Sequence, residues 1–272
     1  MISRARCHIL MSISDLRMSI HPTALISSEA HLGPGVSVGP YAIIEPFTQI
    51  GEGCEIRAHA IIKRFTSLEP GNIVHEGAVI GGEPQDTSFT ECKSYLSIGA
   101  RNQIRECVTI HRGSTPNSAT EIGSDCFIMA HAHVAHDCRV GNRVVIANNV
   151  ALAGHVEIED QAFLSGGACV HQFCRVGRLA MIGGNAKIVQ DCLPFVITDG
   201  VPGRARGLNI VGLRRSGFKS SELQRLKQAY RILLRSGLAL EAALECLRRM
   251  EDPLVDHMVR FIGRSERGFC HE

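Results

Sequence analysis

Counting by sixes from Ile20 meets only Ile, Leu or Val: Ile26, Leu32, Val38, Ile44, Ile50, Ile56, Ile62, Leu68, Val74 and Ile80. The register returns at Ile98, Ile104 and Ile110, and again at Ile122, Ile128, Val134 and each sixth residue through Ile188. Glycine often follows the aliphatic residue, as at Gly33, Gly39, Gly51, Gly81, Gly99, Gly123, Gly141, Gly177 and Gly183, and small residues recur between, as at Ala24, Ala30, Ala42 and Ala60. A period of six does not fit an amphipathic α-helix, whose apolar stripe recurs about every 3.6 residues. It fits short strands joined by tight corners, one bulky residue pointing inward per side. Three hexads close one triangular coil, and coils stack as parallel strands roughly 4.8 Å apart. The pattern therefore predicts a parallel β-helix, mainly β, over residues 18–193.

Two stretches, 81–97 and 111–121, hide the repeat without shifting its phase. They are expected as loops thrown out from the prism, and long loops on a rigid scaffold tend to carry function. The first holds Gly81, Gly82, Pro84, Gln85 and Asp86. After Ile188 the period ends. Pro194, Gly200, Pro202, Gly203 and Gly207 read as a linker, opening a C-terminal α-helical domain over 194–272. A helix is expected from about Ser221, with Ser221 and Gln224 as a capping box and Gly237 as its stop, then helices over about 238–251 and 253–264. Residues 1–17 stand outside the repeat as a flexible extension, or Met18 is the natural start.

Composition narrows the function without naming it. A net charge of +2 is too small to argue for nucleic acid or an acidic membrane surface. No 18-residue apolar stretch predicts a membrane span. The first 20 residues carry Arg4, Arg6 and Arg17 and lack the apolar run of a secretory signal. The 11 cysteines show no C-x-x-C spacing, so they read as free thiols in a reducing cytoplasm rather than a disulfide scaffold.

Candidate chemistry gathers in one stretch. His131, His133 and His136 lie in M-A-H-A-H-V-A-H-D-C, His155 in A-G-H-V, and His171 with Gln172 in V-H-Q-F. A coil of 18 residues stacks His136, Gly154 and Gln172 in one column, with Asp137, His155 and Phe173 in the next. An imidazole beside a bare glycine backbone is the arrangement of a general base next to an oxyanion donor. Two other readings use the same residues. Histidines on a β-helix face can be solvated surface groups, and several close nitrogens, with Cys138, could hold zinc.

A family likeness rests on particular runs: I-R-E-C-V-T-I-H-R-G (104–113), A-H-V-A-H-D-C (132–138), G-N-R (141–143), A-N-N-V-A-L-A-G-H-V (147–156), V-H-Q-F (170–173), N-I-V-G-L-R-R (209–215) and R-S-x-R-G (264–268). Together they resemble the UDP-N-acetylglucosamine O-acyltransferases of lipid A biosynthesis, and the spacings between blocks match without gaps from about residue 20 to the C-terminus. The hexapeptide-repeat superfamily is left-handed, so the resemblance implies a left-handed parallel β-helix. It implies a cytoplasmic homotrimer with active sites between neighbouring prisms. The implied reaction moves a 3-hydroxyacyl chain from acyl carrier protein to the sugar 3-hydroxyl of UDP-N-acetylglucosamine. The acyl group arrives on the carrier's phosphopantetheine, with no resident cofactor or metal.

By the same resemblance His136 is the general base, Asp137 its supporting carboxylate and Gly154 the oxyanion donor. Asp86, beside Gln85, is a sugar-binding carboxylate. His133, His155, His171 and Gln172 line the sugar or acyl cleft. Gly184 falls where acyl length is set, and Asn209 and Arg215 contact nucleotide and phosphate. Two positions depart from the pattern: Ser88 stands where the family usually has Lys, and Ser216 where it has a second Arg. Charge-assisted phosphate contacts are worth about 1.5–3 kcal/mol each, so affinity for the UDP-sugar is expected to be lower or supplied by Lys93, Arg204 or Arg206. These absences keep a second reading in view: a related hexapeptide acyltransferase acting on another nucleotide sugar or a 3-amino sugar.

Overall fold

The computed structural model describes residues 19–272. The extension 1–17 and the alternative start Met18 lie outside the described residues. From Ser19 the chain winds as the spacing predicts. Strands of mostly two residues follow one another every six positions, and each pairs in parallel with the strand one coil away, as in Ile20 with Val38, Ile26 with Ile44 and Leu32 with Ile50. Three sheets result, of 11, 9 and 8 strands, forming the sides of a left-handed triangular prism.

The loop segments keep phase because they add whole hexads. Ile80 pairs with Ile110 and Ile110 with Val134, offsets of 30 and 24 residues in place of 18. The loops proper are shorter than the gaps in the pattern. Strands Val79–Gly82 and Tyr95–Ile98 bound the first, and Thr109–His111 and Ala119–Ile122 the second, leaving residues 83–94 and 112–118. Both loops leave at the corner between the 9- and 8-stranded sheets.

Two residues per hexad point inward. The aliphatic ladder is one column, continuously buried from Val38 to Ile188. The second lies two positions earlier and takes small or narrow residues. Ala42, Cys54, Ala60, Ala78, Cys126, Cys138, Cys174 and Cys192 are all buried there. Cysteine behaves at such sites as a small apolar residue, so the inward column accounts for five of the thiols. Asn72 and Asn102 occupy it in successive coils as a polar rung. Asn102 N–H donates to Asn72 Oδ1 (2.9 Å), Cys126 N–H to Asn102 Oδ1 (2.7 Å), and both amide groups donate to the Gly99 carbonyl. Most corners turn through a left-handed residue three before the aliphatic, with φ of 57° at Asp137, 59° at His155 and 64° at Phe173.

The expected linker is instead a β-hairpin. Val196–Asp199 adds in parallel to the 11-stranded sheet, and Arg204–Leu208 pairs antiparallel with it. The backbone polar groups of this Gly- and Pro-rich segment are thus met by sheet pairing rather than solvent. Four helices follow: α1 (Ile210–Arg215), α2 (Ser220–Arg235), α3 (Leu240–Arg248) and α4 (Pro253–Gly263). The short α1 escapes a periodicity search. Helix α2 is capped by Lys219 N–H donating to Glu222 Oε2 (2.7 Å), not by Ser221 and Gln224. Leu213, Leu226, Ala229, Leu247, Val255 and Met258 join Phe195 and Val196 in a second core at the prism's end.

The C-terminal segment returns to the prism. Asp191 N–H donates to the Gly268 carbonyl (2.9 Å), Cys270 N–H to the Asp191 carbonyl (2.8 Å), and Cys270 joins the prism core. Arg175 ties α4 down. It pairs with the buried Asp191 (2.9 Å), donates to the Phe261 carbonyl, and lies 4.2 Å from the Phe261 ring centre.

Candidate active site

His133 sits on the strand His133–Val134 of the 9-stranded sheet, and His136 begins the corner leading to Arg139–Val140 of the 8-stranded sheet. Stacking by 18 residues holds through this corner: His155 N–H donates to the His136 carbonyl (3.1 Å) and Phe173 N–H to the Gly154 carbonyl (3.2 Å). The imidazole of His136 lies against Gly154. A Cβ added to Gly154 would stand 2.7 Å from both Cε1 and Nε2 of His136. Glycine is therefore required for the ring to occupy this place. Among the described residues the Gly154 N–H has no acceptor.

His136 Nδ1 is 2.8 Å from Asp137 Oδ2. A carboxylate there fixes the tautomer with the proton on Nδ1, leaving a lone pair on Nε2. Burial pushes the Asp137 carboxyl up, but donors from Ser114, Ser118 and His136 outweigh it and hold the group below the usual carboxylate range. His155 stands edge-on to His136, ring centres 5.2 Å apart, and stacks on Phe173 at 4.6 Å. His133 Nδ1 hydrogen-bonds Thr109 Oγ1 (2.8 Å), and burial lowers its pKa. His111, which the sequence reading did not single out, packs edge-on to His133 at 4.9 Å. Burial, then His133 and His136, push its pKa down to about 4.

His133, His136, His155 and Phe173 open onto a cleft of about 760 Å³. Its lining brings together Gln85, Asp86, His133, His136, Gly154, His155, His171 and Gln172. Asp86 and Gln85 arrive on the loop 83–94, which leaves the same corner. Asp86 Oδ1 accepts from both the N–H and the hydroxyl of Ser88 (2.8 Å each), and these bonds hold its carboxyl below the usual range. Ser88, where a cation was expected, is thus engaged in orienting Asp86. Cys169 and Lys187 also line the cleft, and sequence reasoning missed them. Both fall one coil apart on the column of His133 and Ala151, so stacking arithmetic could have found them.

Three expected residues lie elsewhere. Gly184 belongs to the corner between the 11- and 9-stranded sheets. Asn209 is buried beside the third corner, where Nδ2 donates to the Leu179 carbonyl (3.0 Å) and Oδ1 accepts from Gly212 N–H (3.0 Å). Its amide caps α1, and the exposed Arg215 ends that helix.

One set of side chains could hold a cation. His136, Asp137 and His155 each place a ligand atom within 4.8 Å of the others. His75, Glu76 and Glu106 do likewise. However, Arg57 lies 3.1 Å from His75 and Arg105 binds Glu106 (2.8 Å), so that cluster is already balanced by cations.

Comparison with known proteins gives the family of the chain. The signature of the second domain of UDP-N-acetylglucosamine O-acyltransferases matches residues 191–270, and bacterial transferase hexapeptide repeats match 29–64 and 119–154. An acyl-[acyl-carrier-protein]–UDP-N-acetylglucosamine O-acyltransferase of Burkholderia orbicola is 49% identical over 256 residues, covering 92% of this chain and 98% of the relative. The chain belongs to the UDP-N-acetylglucosamine O-acyltransferase family. A Synechocystis member is 49% identical over 196 residues, 72% of this chain and 71% of its own. Among solved family structures, that from Moraxella catarrhalis superposes with a TM-score of 0.91 at 39% identity, covering 93% of this chain and 99% of that one. The family enzyme of Francisella novicida gives 0.90 at 35%, covering 93% and 94%.

Proposed function

We infer that the chain transfers a 3-hydroxyacyl group from the phosphopantetheine thioester of acyl carrier protein to the 3-hydroxyl of UDP-N-acetylglucosamine, the first step of lipid A biosynthesis. The observation that carries this reading is the His136 ring, fixed through Nδ1 by Asp137 and laid against Gly154. In the proposed step the sugar O3 attacks the thioester carbonyl while Nε2 of His136 takes its proton. The oxyanion of the tetrahedral intermediate accepts from the Gly154 N–H. As the C–S bond breaks, His136 returns the proton to the departing sulfur. Asp86 and Gln85 hold sugar hydroxyls, and His133, His155, His171 and Gln172 shape the cleft. No resident cofactor is needed, and the work is placed in the cytoplasm with its carrier.

Gly184 lies on another edge of the prism than His136, and Arg215 lies at the end of α1, outside the prism. A homotrimer, in which edges of neighbouring prisms approach, lets them reach one site. On this reading Asn209 acts by holding α1, from which Arg215 projects toward phosphate. Sedimentation should give three chains per particle, and a monomer would sink the shared-site arrangement. Among the described residues no helix is long and apolar enough to cross a membrane.

The decisive experiment is mass spectrometry of product formed from UDP-N-acetylglucosamine and a mixed pool of 3-hydroxyacyl carrier thioesters. The expected result is one O-acylated sugar, lost in His136→Ala with the oligomer intact. Near-normal transfer by that variant would overturn the assignment. Ser88 and Ser216 in place of cations favour a second reading, transfer to a different nucleotide sugar or to a 3-amino sugar. Adding those acceptors to the same assay separates the two, and metal analysis of the purified protein tests the zinc alternative.

A further inference from the structure

Asp137 has a second tether besides His136. Its Oδ2, the oxygen that accepts the His136 Nδ1–H hydrogen bond, also accepts from Ser114 Oγ (2.6 Å) and Ser114 N–H (3.1 Å). Its own N–H donates to Thr120 Oγ1 (2.8 Å). Ser114 belongs to the loop 112–118, and both preceding residues are locked. The Arg112 guanidinium is 1% exposed, and it donates to Glu91 Oε2 (2.8 Å) and Oε1 (3.0 Å) and to the Cys92 carbonyl (3.3 Å). Gly113 donates to the Tyr95 carbonyl (3.0 Å) and accepts from the buried Ser94 hydroxyl (2.6 Å).

We propose that Ser114 is a positioning residue for the base, holding Asp137 so that the carboxylate points His136 Nε2 over Gly154. The inference rests on the reading of His136 as the base. Ser114 sits 23 residues from Asp137 in sequence, yet its two donors converge on one oxygen. A carboxylate on a corner has free χ angles, and a single bond from an imidazole would not fix its plane. Two further donors to the same oxygen do, because they arrive from a loop whose two preceding residues are hydrogen-bonded to their neighbours. Residues 91–94 on the first loop clamp residues 112–113 on the second. The loop presenting Asp86 and the tether of the base therefore form one hydrogen-bonded unit.

The test is a set of variants in the full-length protein, with kcat and KM measured for both substrates and thermal unfolding followed in parallel. Ser114→Ala is expected to lower kcat about 10- to 100-fold, the range for a sub-ångström loss of alignment or of a supporting hydrogen bond, with KM values changed less than about twofold. Ser114→Thr, which keeps the hydroxyl, is expected to restore most of kcat. A merely structural role would not distinguish the next pair. In an Asp137→Asn background, Ser114→Ala should cost little more, since the two act as one chain. Wild-type kcat in a folded Ser114→Ala, or full additivity with Asp137→Asn, overturns the proposal. His136→Ala is run alongside. If it is inactive while Ser114→Ala is normal, only the positioning role fails; if it is active, the base assignment fails with it.

Discussion

Replacing Gly154 by Ala tests the His136–Gly154 contact with a single methyl. Its backbone is outside the left-handed region, so an alanine is not strained by φ there. The new Cβ would stand 2.7 Å from Cε1 and Nε2 of His136, where ordinary contact begins at 3.4 Å. The ring must therefore retreat by about 0.7 Å, and Nδ1 is already held at 2.8 Å by Asp137. Misplacing a catalytic group by about 1 Å can cost on the order of 100-fold. Gly154→Ala is thus expected to lower kcat by roughly 30- to 100-fold. Steady-state kinetics with a thioester-release assay measures this, with thermal unfolding to show that the prism persists. Gly263→Ala, whose Cβ meets nothing within 4 Å, is the control. Folded Gly154→Ala with kcat within twofold of wild type would refute the claim that the ring needs this space.

Other outcomes follow from burial and charge. His111 is buried with its pKa pushed down to about 4, so between that value and about 6.5 the unfolded chain binds more protons than the folded one. Stability should fall by about 3 kcal/mol as pH drops through this window, and His111→Gln should flatten the slope in urea melts at stepped pH. Glu91→Gln leaves the Arg112 guanidinium, 1% exposed, facing a neutral amide in place of a half-exposed carboxylate, and is expected to cost about 1 kcal/mol by the same melts. An unchanged urea midpoint would show that solvent screens the pair. Among the described residues, Cys107, Cys169 and Cys246 are exposed and should alkylate in the native protein. Cys138, buried with its thiol pushed up to about 12, should stay unlabelled until unfolding, as read by peptide mass spectrometry.

The aliphatic ladder was readable because one residue type repeats at one spacing. Its partner column was harder to read, since Ala, Cys, Thr, Val and Asn all serve where the demand is only a narrow side chain. Stacking arithmetic placed His136, Gly154 and Gln172 on one edge, and the backbone bonds through this corner follow the same count. It could not reach Ser114 or Arg112. Those residues lie in a loop, where the count has no register to follow. The cap of α2 was misplaced by two residues because serine and glutamine fit the composition of a capping box, whereas the observed cap needs only Glu222 and the Lys219 backbone. Asn209 was read for a ligand contact, while its amide serves the start of a six-residue helix that periodicity cannot detect.

The loops lengthen their coils by whole hexads, and this gives the prism something like a reading frame. Dropping one residue between Val140 and Gly154 would turn every later inward side chain outward and carry Gly154 and Gln172 off the edge of His136. Dropping six from the loop 83–94 would shorten an appendage and leave the frame downstream untouched. Lengths of such loops should therefore vary among working sequences in steps of six wherever the corner is closed, and freely only where the extra chain stands clear of it.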